Sequence, residues 1–265
     1  MQETAASSDR TSAHNGSSAV RLSVVIPAYN ESTRLPAFLD SVLAWCGRHE
    51  PSFEVIVVDD GSSDGTVTVA RQRDVRVISH ERNAGKGAAV RTGMLAARGE
   101  LRLFADADGA TAMEELPSLL AADADIAIGS REGRDKRVDA SALRRFLGRW
   151  FNRAVRMGAI KGIRDTQCGF KLFRPAAHGL FEIAQEDGFA FDVELLLLAQ
   201  NKGLSIKEVF VNWTEMPGSK VSLMRDGIKM LKAVRRIKKR WKTGAYESAM
   251  MRVTPSNELA GSVDS

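Results

Sequence analysis

The amino-acid sequence predicts an α/β protein whose sheet is doubly wound and mostly parallel. Short apolar runs, rich in β-branched residues, alternate along the chain with segments in which apolar residues recur at helical spacing. Strands that alternate with helices in this way are typical of a parallel sheet covered by helices on both faces. The chain has 265 residues, of which 44% are hydrophobic, so it can bury the core that such a sheet requires.

Four predicted strands lie in the N-terminal part of the chain. They are residues 22–27, 53–58, 75–78 and 101–105. Helical apolar spacing predicts the helices between them at 35–46, from a cap at Ser63 or Asp64 through Arg71, and at 85–97. Pro36 is compatible with the first helix, because proline is tolerated in a first helical turn.

The remaining predicted elements vary more in length. They are a helix at 113–122, a strand at 126–128, a basic loop at 134–137, a helix at 143–157, a strand at 170–173, a Leu-rich helix around 193–199, a strand at 206–213 and a final helix at 224–241. We therefore divide the chain into disordered tails at 1–20 and 244–265, an α/β domain at 21–222 and a basic amphipathic helix at 223–243.

Two carboxylates follow the fourth predicted strand. Asp106 and Asp108 come directly after the apolar run 101–105 and are followed by Gly109. In parallel α/β sheets, ligands bind beyond the carboxyl ends of the strands. Carboxylates placed there can hold Mg²⁺ or Mn²⁺, especially when a substrate phosphate completes the coordination shell. The alternative is an ordinary turn, since Asp and Gly are common turn residues.

Polar groups also follow the first two strands, at 27–31 and 59–62. Together with the carboxylates after the fourth strand, three polar strand ends are expected at one edge of the sheet. This arrangement favours a common ligand-binding site. The stretch Gly85-Lys86-Gly87-Ala88 lacks the Gly-Lys-Ser/Thr ending of a Walker A loop. It follows the third strand and lacks the last glycine of a dinucleotide fingerprint. Lys86 at a helix N-terminus is a candidate anion contact, with a solvated lysine as the alternative.

Charge and cysteine content restrict the class of protein. The chain has 38 Lys and Arg against 33 Asp and Glu, which favours an anionic partner: a phosphorylated ligand, a nucleic acid or a membrane surface. No recognised nucleic-acid motif is present and only 6% of residues are aromatic, so we expect no nucleic-acid partner. Two widely separated cysteines fit a reducing compartment. No apolar run is long enough to span a bilayer, so we expect a protein that is soluble or attached to a membrane from one side.

Eight short motifs together resemble the family 2 glycosyltransferases, in particular the branch that transfers glucose to polyprenyl phosphates of the dolichyl type. The first and second, VVIPAYNE and VVDDGSSDGT, mark the broad family, and the last three point to the glucosyl branch. The motifs are VVIPAYNE (24–31), VVDDGSSDGT (57–66), NAGKGAAVRTG (83–93), FADADGAT (104–111), GSR (129–131), RDTQCGFKLF (164–173), FAFDVELL (189–196) and VNWTEMPGSK (211–220).

The resemblance implies a GT-A-like fold and a metal-dependent, inverting transfer of glucose from UDP-glucose to a polyprenyl phosphate at the cytoplasmic face of a membrane. It also implies roles for individual residues. The nucleotide pocket would contain Pro27, Tyr29, Glu31, Asp59, Asp60 and Lys86. Asp60 would accept a hydrogen bond from the nucleotide base. Asp106 and Asp108 would hold the metal, and Arg131, Ser219 and Lys220 would face phosphate groups. Asp165, Gln167 and Asp192 would lie near the sugar. The catalytic candidates are Asp108, Asp165, Asp192 and Arg131.

Several alternatives stay open at this stage. The same fold could use GDP-mannose or another nucleotide sugar or acceptor, and a non-catalytic module could bind a nucleotide sugar for regulation. Asp165 and Asp192 could be helix caps or loop residues. The predicted helices 143–157 and 224–241 each combine an apolar stripe with a cationic face and a tryptophan. This composition is typical of a helix that lies in an anionic membrane interface, but also of one that packs on its own domain.

Overall fold

The computed structural model describes residues 19–131, 162–214, 216 and 223–253. Seven strands form one sheet: β1 (Leu22–Ala28), β2 (Phe53–Asp59), β3 (Arg76–Ser79), β4 (Leu101–Ala105), β5 (Ile126–Ser130), β6 (Phe170–Phe173) and β7 (Ile206–Phe210). The helices are α1 (Leu35–His49), α2 (Thr66–Arg71), α3 (Lys86–Ala96), α4 (Leu116–Leu120), α5 (Pro175–His178), α6 (Leu180–Ile183), α7 (Phe191–Asn201), α8 (Leu223–Lys242) and α9 (Ala245–Val253), with a 3₁₀ turn at Met113–Glu115.

The strand order across the sheet is β3-β2-β1-β4-β6-β5-β7. Strand β6 runs antiparallel to β4 and β5, and the other neighbouring strands are parallel. The chain builds outwards from β1 to β3 and then returns to the opposite side of β1 with β4. The carboxyl ends of β1 and β4 therefore flank the point at which the strand order reverses, where α/β sheets bind their ligands. The predicted doubly wound, mostly parallel sheet is confirmed.

Helices cover both faces of the sheet, and alternate strand residues pack on opposite faces. Val25, Ile56 and Val58 belong to one buried apolar cluster. Val24 and Val57 belong to a second cluster, on which α1 packs. This alternation follows from the pleat of a strand, which directs successive side chains to opposite faces. Runs of continuous hydrophobic residues are the sequence signature of strands buried on both sides.

Some predicted elements have the expected bounds and others differ. Strands β4 and β6 coincide with their predictions, whereas β7 ends at Phe210 and not at 213. The predicted helix at 113–122 is a 3₁₀ turn followed by the short α4, with Pro117 in its first turn. The short helices α5 and α6 were not predicted, because four residues are too few to show helical periodicity. The predicted basic loop at 134–137 and helix at 143–157 lie outside the described residues, as do residues 1–18 of the predicted tail at 1–20.

The C-terminal region differs most from the prediction. Residues 245–253 form helix α9, so the prediction of a disordered tail from 244 is wrong for this segment. Its Tyr246 is 1% exposed and packs in the core. In α8, Ala233 and Ile237 are buried, and Trp241 packs against the same cluster. The sequence left open whether the apolar stripe of this helix enters a membrane interface or packs on its own domain. Between 233 and 241 it packs on the domain. Within the described residues, no helix has both the length and the apolar character that crossing a bilayer requires.

Candidate active site

The two predicted metal-binding aspartates lie in a tight turn after β4. The backbone N–H of Asp106 donates to the carbonyl of Gly169 over 2.9 Å. A Cβ at Gly169 would lie 1.9 Å from Oδ2 of Asp106, so only glycine leaves room for this carboxylate. Gly109 has a φ of 67°, a conformation that glycine adopts without steric cost. The turn leaves the side chains of Asp106 and Asp108 partly open to solvent, 31% and 30% exposed.

Two basic side chains flank this carboxylate pair. Lys86 Nζ lies 2.6 Å from Oδ1 of Asp106, and Arg34 Nη1 lies 3.9 Å from Oδ2 of Asp108. Burial and the charge of Asp106 raise the pKa of Asp108 above its usual value. Burial alone would lower the pKa of Lys86, but Asp106 and Asp192 hold it above its usual range. The site thus concentrates two anionic groups that repel each other, with an ammonium group beside them.

This donor set fits a divalent cation that shares its shell with substrate. In the described part of the chain, no group of three His, Cys, Asp or Glu residues is placed to hold a metal ion. Asp106 and Asp108 supply two carboxylates, which are hard oxygen ligands. Mg²⁺ typically binds proteins through one or two carboxylates and completes its octahedron with substrate phosphates and water. The pair therefore suits a metal–diphosphate complex better than a metal site enclosed by protein.

Asp60 holds the turn that precedes Lys86. Its Oδ1 accepts the N–H of Ala84 over 2.9 Å and lies 2.8 Å from Nδ1 of His80, and its Oδ2 accepts the N–H of Gly85 over 2.8 Å. The carboxylate is 3% exposed. The predicted contact with the base stays a prediction. The structure adds a second role, because this carboxylate fixes the backbone from which Lys86 begins α3.

The ends of β1 and β2 are tied together by side-chain hydrogen bonds. Asn30, with a φ of 56°, accepts the N–H of Ser63 over 2.8 Å, and its own N–H donates to Ser62 Oγ over 2.8 Å. Asp59, which is 3% exposed, accepts the N–H of Ser62 over 3.3 Å. Of the other predicted pocket residues, Pro27 is buried within β1 and Tyr29 is 41% exposed after it. Glu31 forms a two-pronged ion pair with Arg34, at 2.6 and 2.7 Å.

Arg131 and Asp165 form a second two-pronged pair, after β5. Arg131 Nε and Nη2 donate to the Asp165 carboxylate over 2.7 and 2.8 Å, and its backbone N–H donates over 3.1 Å. Burial would raise the pKa of Asp165, but the hydrogen bonds from Arg131 hold it below its usual value. The Arg131 guanidinium carbon also lies 5.6 Å from the ring centre of Trp213. Asp165 is thus an ionised carboxylate that orients a partly exposed arginine.

Lys171 pairs with Asp192 beneath the site. Lys171 Nζ lies 2.6 Å from Oδ1 of Asp192 and donates to the Cys168 carbonyl over 2.6 Å. The two side chains are 1% and 4% exposed. Burial raises the pKa of Asp192, and the charges of Lys171 and Lys86 oppose this effect. The ammonium groups of both lysines lie over the Phe104 ring, 5.6 and 5.3 Å from its centre.

Residues 23–179 match the family model for glycosyl transferase family 2. The chain belongs to glycosyl transferase family 2. It is 44% identical to a dolichyl-phosphate beta-glucosyltransferase from Drosophila melanogaster over 259 residues, covering 88% of this chain and 79% of the relative. It is 43% identical to a protein of the same name from Homo sapiens over 250 residues, covering 85% of this chain and 77% of the relative.

A solved structure supports the fold assignment. The glucosyl-3-phosphoglycerate synthase of Mycobacterium tuberculosis, solved in complex with Mn²⁺ and UDP-glucose, superimposes with a TM-score of 0.58 at 20% sequence identity, and the match covers 81% of this chain and 79% of that chain. At this level of identity the likeness shows a common fold. The predicted GT-A-like fold of this glycosyltransferase is thereby confirmed.

The structure brings most predicted site residues of this family 2 enzyme to one edge of the sheet. Lys86 contacts Asp106 directly, and Asp108 follows in the same turn. Asp165 holds Arg131, while Asp192 is buried at the start of α7. Gln167 follows Asp165, to which its N–H donates over 3.2 Å. The two remaining predicted phosphate ligands, Ser219 and Lys220, lie outside the described residues.

Two residues of this site were missed from sequence. Arg34, in the loop after β1, pairs with Glu31 and approaches Asp108. Lys171 neutralises the buried Asp192. A signal for Lys171 was present, because a lysine in the middle of the otherwise apolar strand Phe170–Phe173 needs a buried partner. No comparable signal marked Arg34, since an arginine in a polar loop is ordinary.

Replacing Asp60 with asparagine is expected to raise the KM for the nucleotide-sugar donor about tenfold, with a smaller effect on kcat. An amide offers one acceptor oxygen, so the N–H of Gly85 or of Ala84 would lose its partner and the turn before Lys86 would shift. Steady-state kinetics with varied donor provides the measurement. Asp74→Asn, at an exposed aspartate between α2 and β3, is the matched control. A donor KM unchanged in the Asp60 variant would contradict this role.

Proposed function

We propose that this glycosyltransferase moves glucose from UDP-glucose to a polyprenyl phosphate of the dolichyl type, with inversion at the anomeric carbon. The observation that carries the proposal is the cluster of Lys86, Asp106 and Asp108 at the carboxyl edge of the sheet. Such a cluster suits a donor with a diphosphate leaving group. The choice of glucose and of a lipid acceptor is supported by the names of the Drosophila and human relatives.

Asp106 and Asp108 are the residues that would hold Mg²⁺ or Mn²⁺ in this proposal. When bound, such a cation would neutralise the negative charge that develops on the departing diphosphate. Lys86 would contribute a further positive charge on the same side, since its ammonium group already lies beside Asp106. The Mn²⁺ and UDP-glucose in the Mycobacterium tuberculosis enzyme are consistent with this arrangement.

The proposed transfer is a single displacement. A phosphate oxygen of the acceptor attacks the anomeric carbon from the side opposite UDP, the bond from that carbon to the diphosphate breaks, and an α-linked donor gives a β-linked product. The acceptor phosphate is already anionic near neutral pH, so no strong general base is required. This fits the ion pairs of Asp165 and Asp192, whose carboxylates contact the side chains of Arg131 and Lys171. We assign them to orienting roles, Asp165 through Arg131 and Asp192 through Lys171.

Product analysis tests the proposed function. Purified protein is incubated with UDP-glucose, Mn²⁺ and a polyprenyl phosphate, and the lipids are resolved by mass. We expect a polyprenyl phosphate that carries one hexose, and none when the lipid phosphate is replaced by the free polyprenol. UDP-glucose that is hydrolysed or untouched, with no change in lipid mass, would contradict the proposal.

We further propose that the enzyme works at an anionic membrane surface, because the tail of a polyprenyl phosphate stays in the bilayer. Since the apolar face of α8 packs on the domain at 233–241, attraction there would come from its exposed basic residues and not from a buried stripe. The exposed basic residues in its described part are Lys232, Arg235, Lys238, Lys239 and Lys242, together with Arg236, which pairs with Glu186. Each basic residue near an anionic surface contributes about 1 kcal/mol before screening by salt.

Liposome co-sedimentation tests this membrane proposal. We expect binding that requires anionic lipid, weakens with salt and falls when Arg235, Lys238 and Lys239 are changed to glutamine. The matched control changes three exposed basic residues elsewhere, Arg71, Lys202 and Lys207, to glutamine. Equal sedimentation of both triple variants would show that the exposed face of α8 is not the membrane contact.

A further inference from the structure

Two buried glutamates lie outside the predicted site. Glu186 is in the loop before α7, and Glu194 is in α7. Their side chains are 4% and 0% exposed. Burying a carboxylate costs several kcal/mol unless hydrogen bonds and opposite charges compensate it. The partners of these two glutamates therefore indicate which parts of the chain the fold depends on.

The C-terminal helices supply these partners. Oε1 of Glu194 accepts the hydroxyl of Tyr246, from α9, and lies 3.4 Å from Nη1 of Arg240. The Glu186 carboxylate lies 2.5 Å from Nη2 of Arg236 and 3.4 Å from Nη1 of Arg240. Two of the basic residues of α8 thus face a buried acidic pair, while others on the helix are exposed.

The same acidic pair holds the loop that runs from 184 to 190. Oε2 of Glu194 accepts the backbone N–H groups of Gln185 and Glu186, over 2.9 and 2.7 Å. Among the described residues, the Glu194 carboxylate therefore joins this loop, through two hydrogen bonds, to the C-terminal helices, through two more. Loss of the donors from α8 and α9 would leave a buried charge directly beside the loop backbone.

The loop in turn packs directly on the start of α3. The carbonyl of Asp187 accepts the N–H groups of Gly87 and Ala88, over 2.7 and 3.2 Å. A Cβ at Gly87 would lie 2.3 Å from the carbonyl oxygen of Glu186, and one at Gly85 would lie 2.4 Å from that of Asp187. The two backbones are therefore in contact, with no side chain between them to absorb a shift.

Lys86 lies between these two glycines and reaches Asp106. Its ammonium group is 6.0 Å from the ring centre of Phe189, which belongs to the same loop. We propose that Tyr246, Arg236 and Arg240 are positioning residues for the donor site: through Glu194, Glu186 and the 184–190 loop they fix Lys86 against Asp106. This inference rests on the proposed function. It makes the two C-terminal helices part of the donor-binding apparatus, acting through the 184–190 loop.

Binding of UDP in the presence of Mn²⁺, measured by titration calorimetry on the full chain, tests the proposal. Tyr246→Phe removes one donor from a buried carboxylate and keeps the ring in the core. We expect the Kd for UDP to rise about tenfold and the KM for UDP-glucose to rise with it, while kcat and the acceptor KM change less than about twofold. Arg236→Gln, at a half-exposed position, is a second variant that we expect to act in the same direction.

Ile237→Val is the matched control, because Ile237 is buried on α8 and has no polar contact with the loop. It is expected to lower the melting temperature without changing the Kd for UDP. The proposal is overturned if both Tyr246→Phe and Arg236→Gln keep the wild-type Kd, or if Ile237→Val weakens UDP binding as much as they do. Wild-type protein that binds UDP but transfers no glucose would contradict the proposed function alone, since the Kd comparison needs no transfer.

Discussion

Replacing Asp108 with alanine is expected to reduce glucosyl transfer by about a thousandfold or more while the fold stays intact. The substitution removes one of two carboxylates that can bind a divalent cation at the edge of the sheet. It also relieves repulsion between Asp106 and Asp108, which together with burial, the larger cause, raises the pKa of Asp108. We therefore expect a melting temperature no lower than that of the wild type. Lipid glucosylation and thermal unfolding, measured on the same preparation, provide the test.

The matched control is Asp74→Ala, which removes an exposed aspartate and should leave transfer unchanged. Asp106→Ala should be inactive as well, and it also removes the partner of Lys86. Chelation of divalent cations should abolish wild-type activity, and added Mn²⁺ or Mg²⁺ should restore it. Full activity of the wild type in chelator, or of the Asp108 variant with metal, would contradict the assignment of these aspartates.

Replacing Lys171 with methionine is expected to lower the free energy of unfolding by about 3–5 kcal/mol and to abolish transfer. Methionine has a similar length but leaves the buried Asp192 without its positive partner. The double variant Lys171→Met/Asp192→Leu should recover part of the lost stability, because it buries no charge, but should recover no activity. Denaturant unfolding of Lys171→Met, of Asp192→Leu and of the double variant measures the coupling between the two side chains.

Lys207→Met serves as the control for Lys171, since it also replaces a strand lysine but at an exposed position. We expect it to change the free energy of unfolding by less than about 0.5 kcal/mol. A loss of less than about 1 kcal/mol in Lys171→Met would mean that the ion pair does not stabilise the fold. Recovery of transfer in the double variant would contradict the orienting role of Asp192.

The sheet and the centre of the site were predictable because their signals are local. An apolar strand such as β4 is visible as a run of hydrophobic residues, and the carboxylates at its end follow directly in sequence. Parallel strands place such ends at one edge, so Asp106, Asp108 and the 59–62 turn could be expected together. The bounds of α3 and of β6 followed from the same local patterns, to within one residue.

The partners of buried charges were not predictable, because they are distant in sequence. Glu194 and Tyr246 are 52 residues apart, and Glu186 and Arg236 are 50 apart. The motif FAFDVELL gave no indication that its glutamate is buried, nor did the basic pattern of α8 show which arginines face inwards. The sequence predicted a cationic face on this helix, whereas Arg236 and Arg240 compensate a buried acidic pair. Tertiary contacts of this kind decide whether a basic helix is a tail or a part of the domain.

A competition experiment tests the central claim most directly. The purified protein is given equal amounts of UDP-glucose with uniformly ¹³C-labelled sugar, unlabelled GDP-mannose and unlabelled UDP-N-acetylglucosamine, together with Mn²⁺ and a polyprenyl phosphate. The lipid products are resolved by mass, and the anomeric configuration is read by NMR. We predict that the labelled hexose dominates the product and that its linkage to phosphate is β. A product dominated by unlabelled sugar, or an α-linked glucose, would contradict the proposed inverting transfer of glucose.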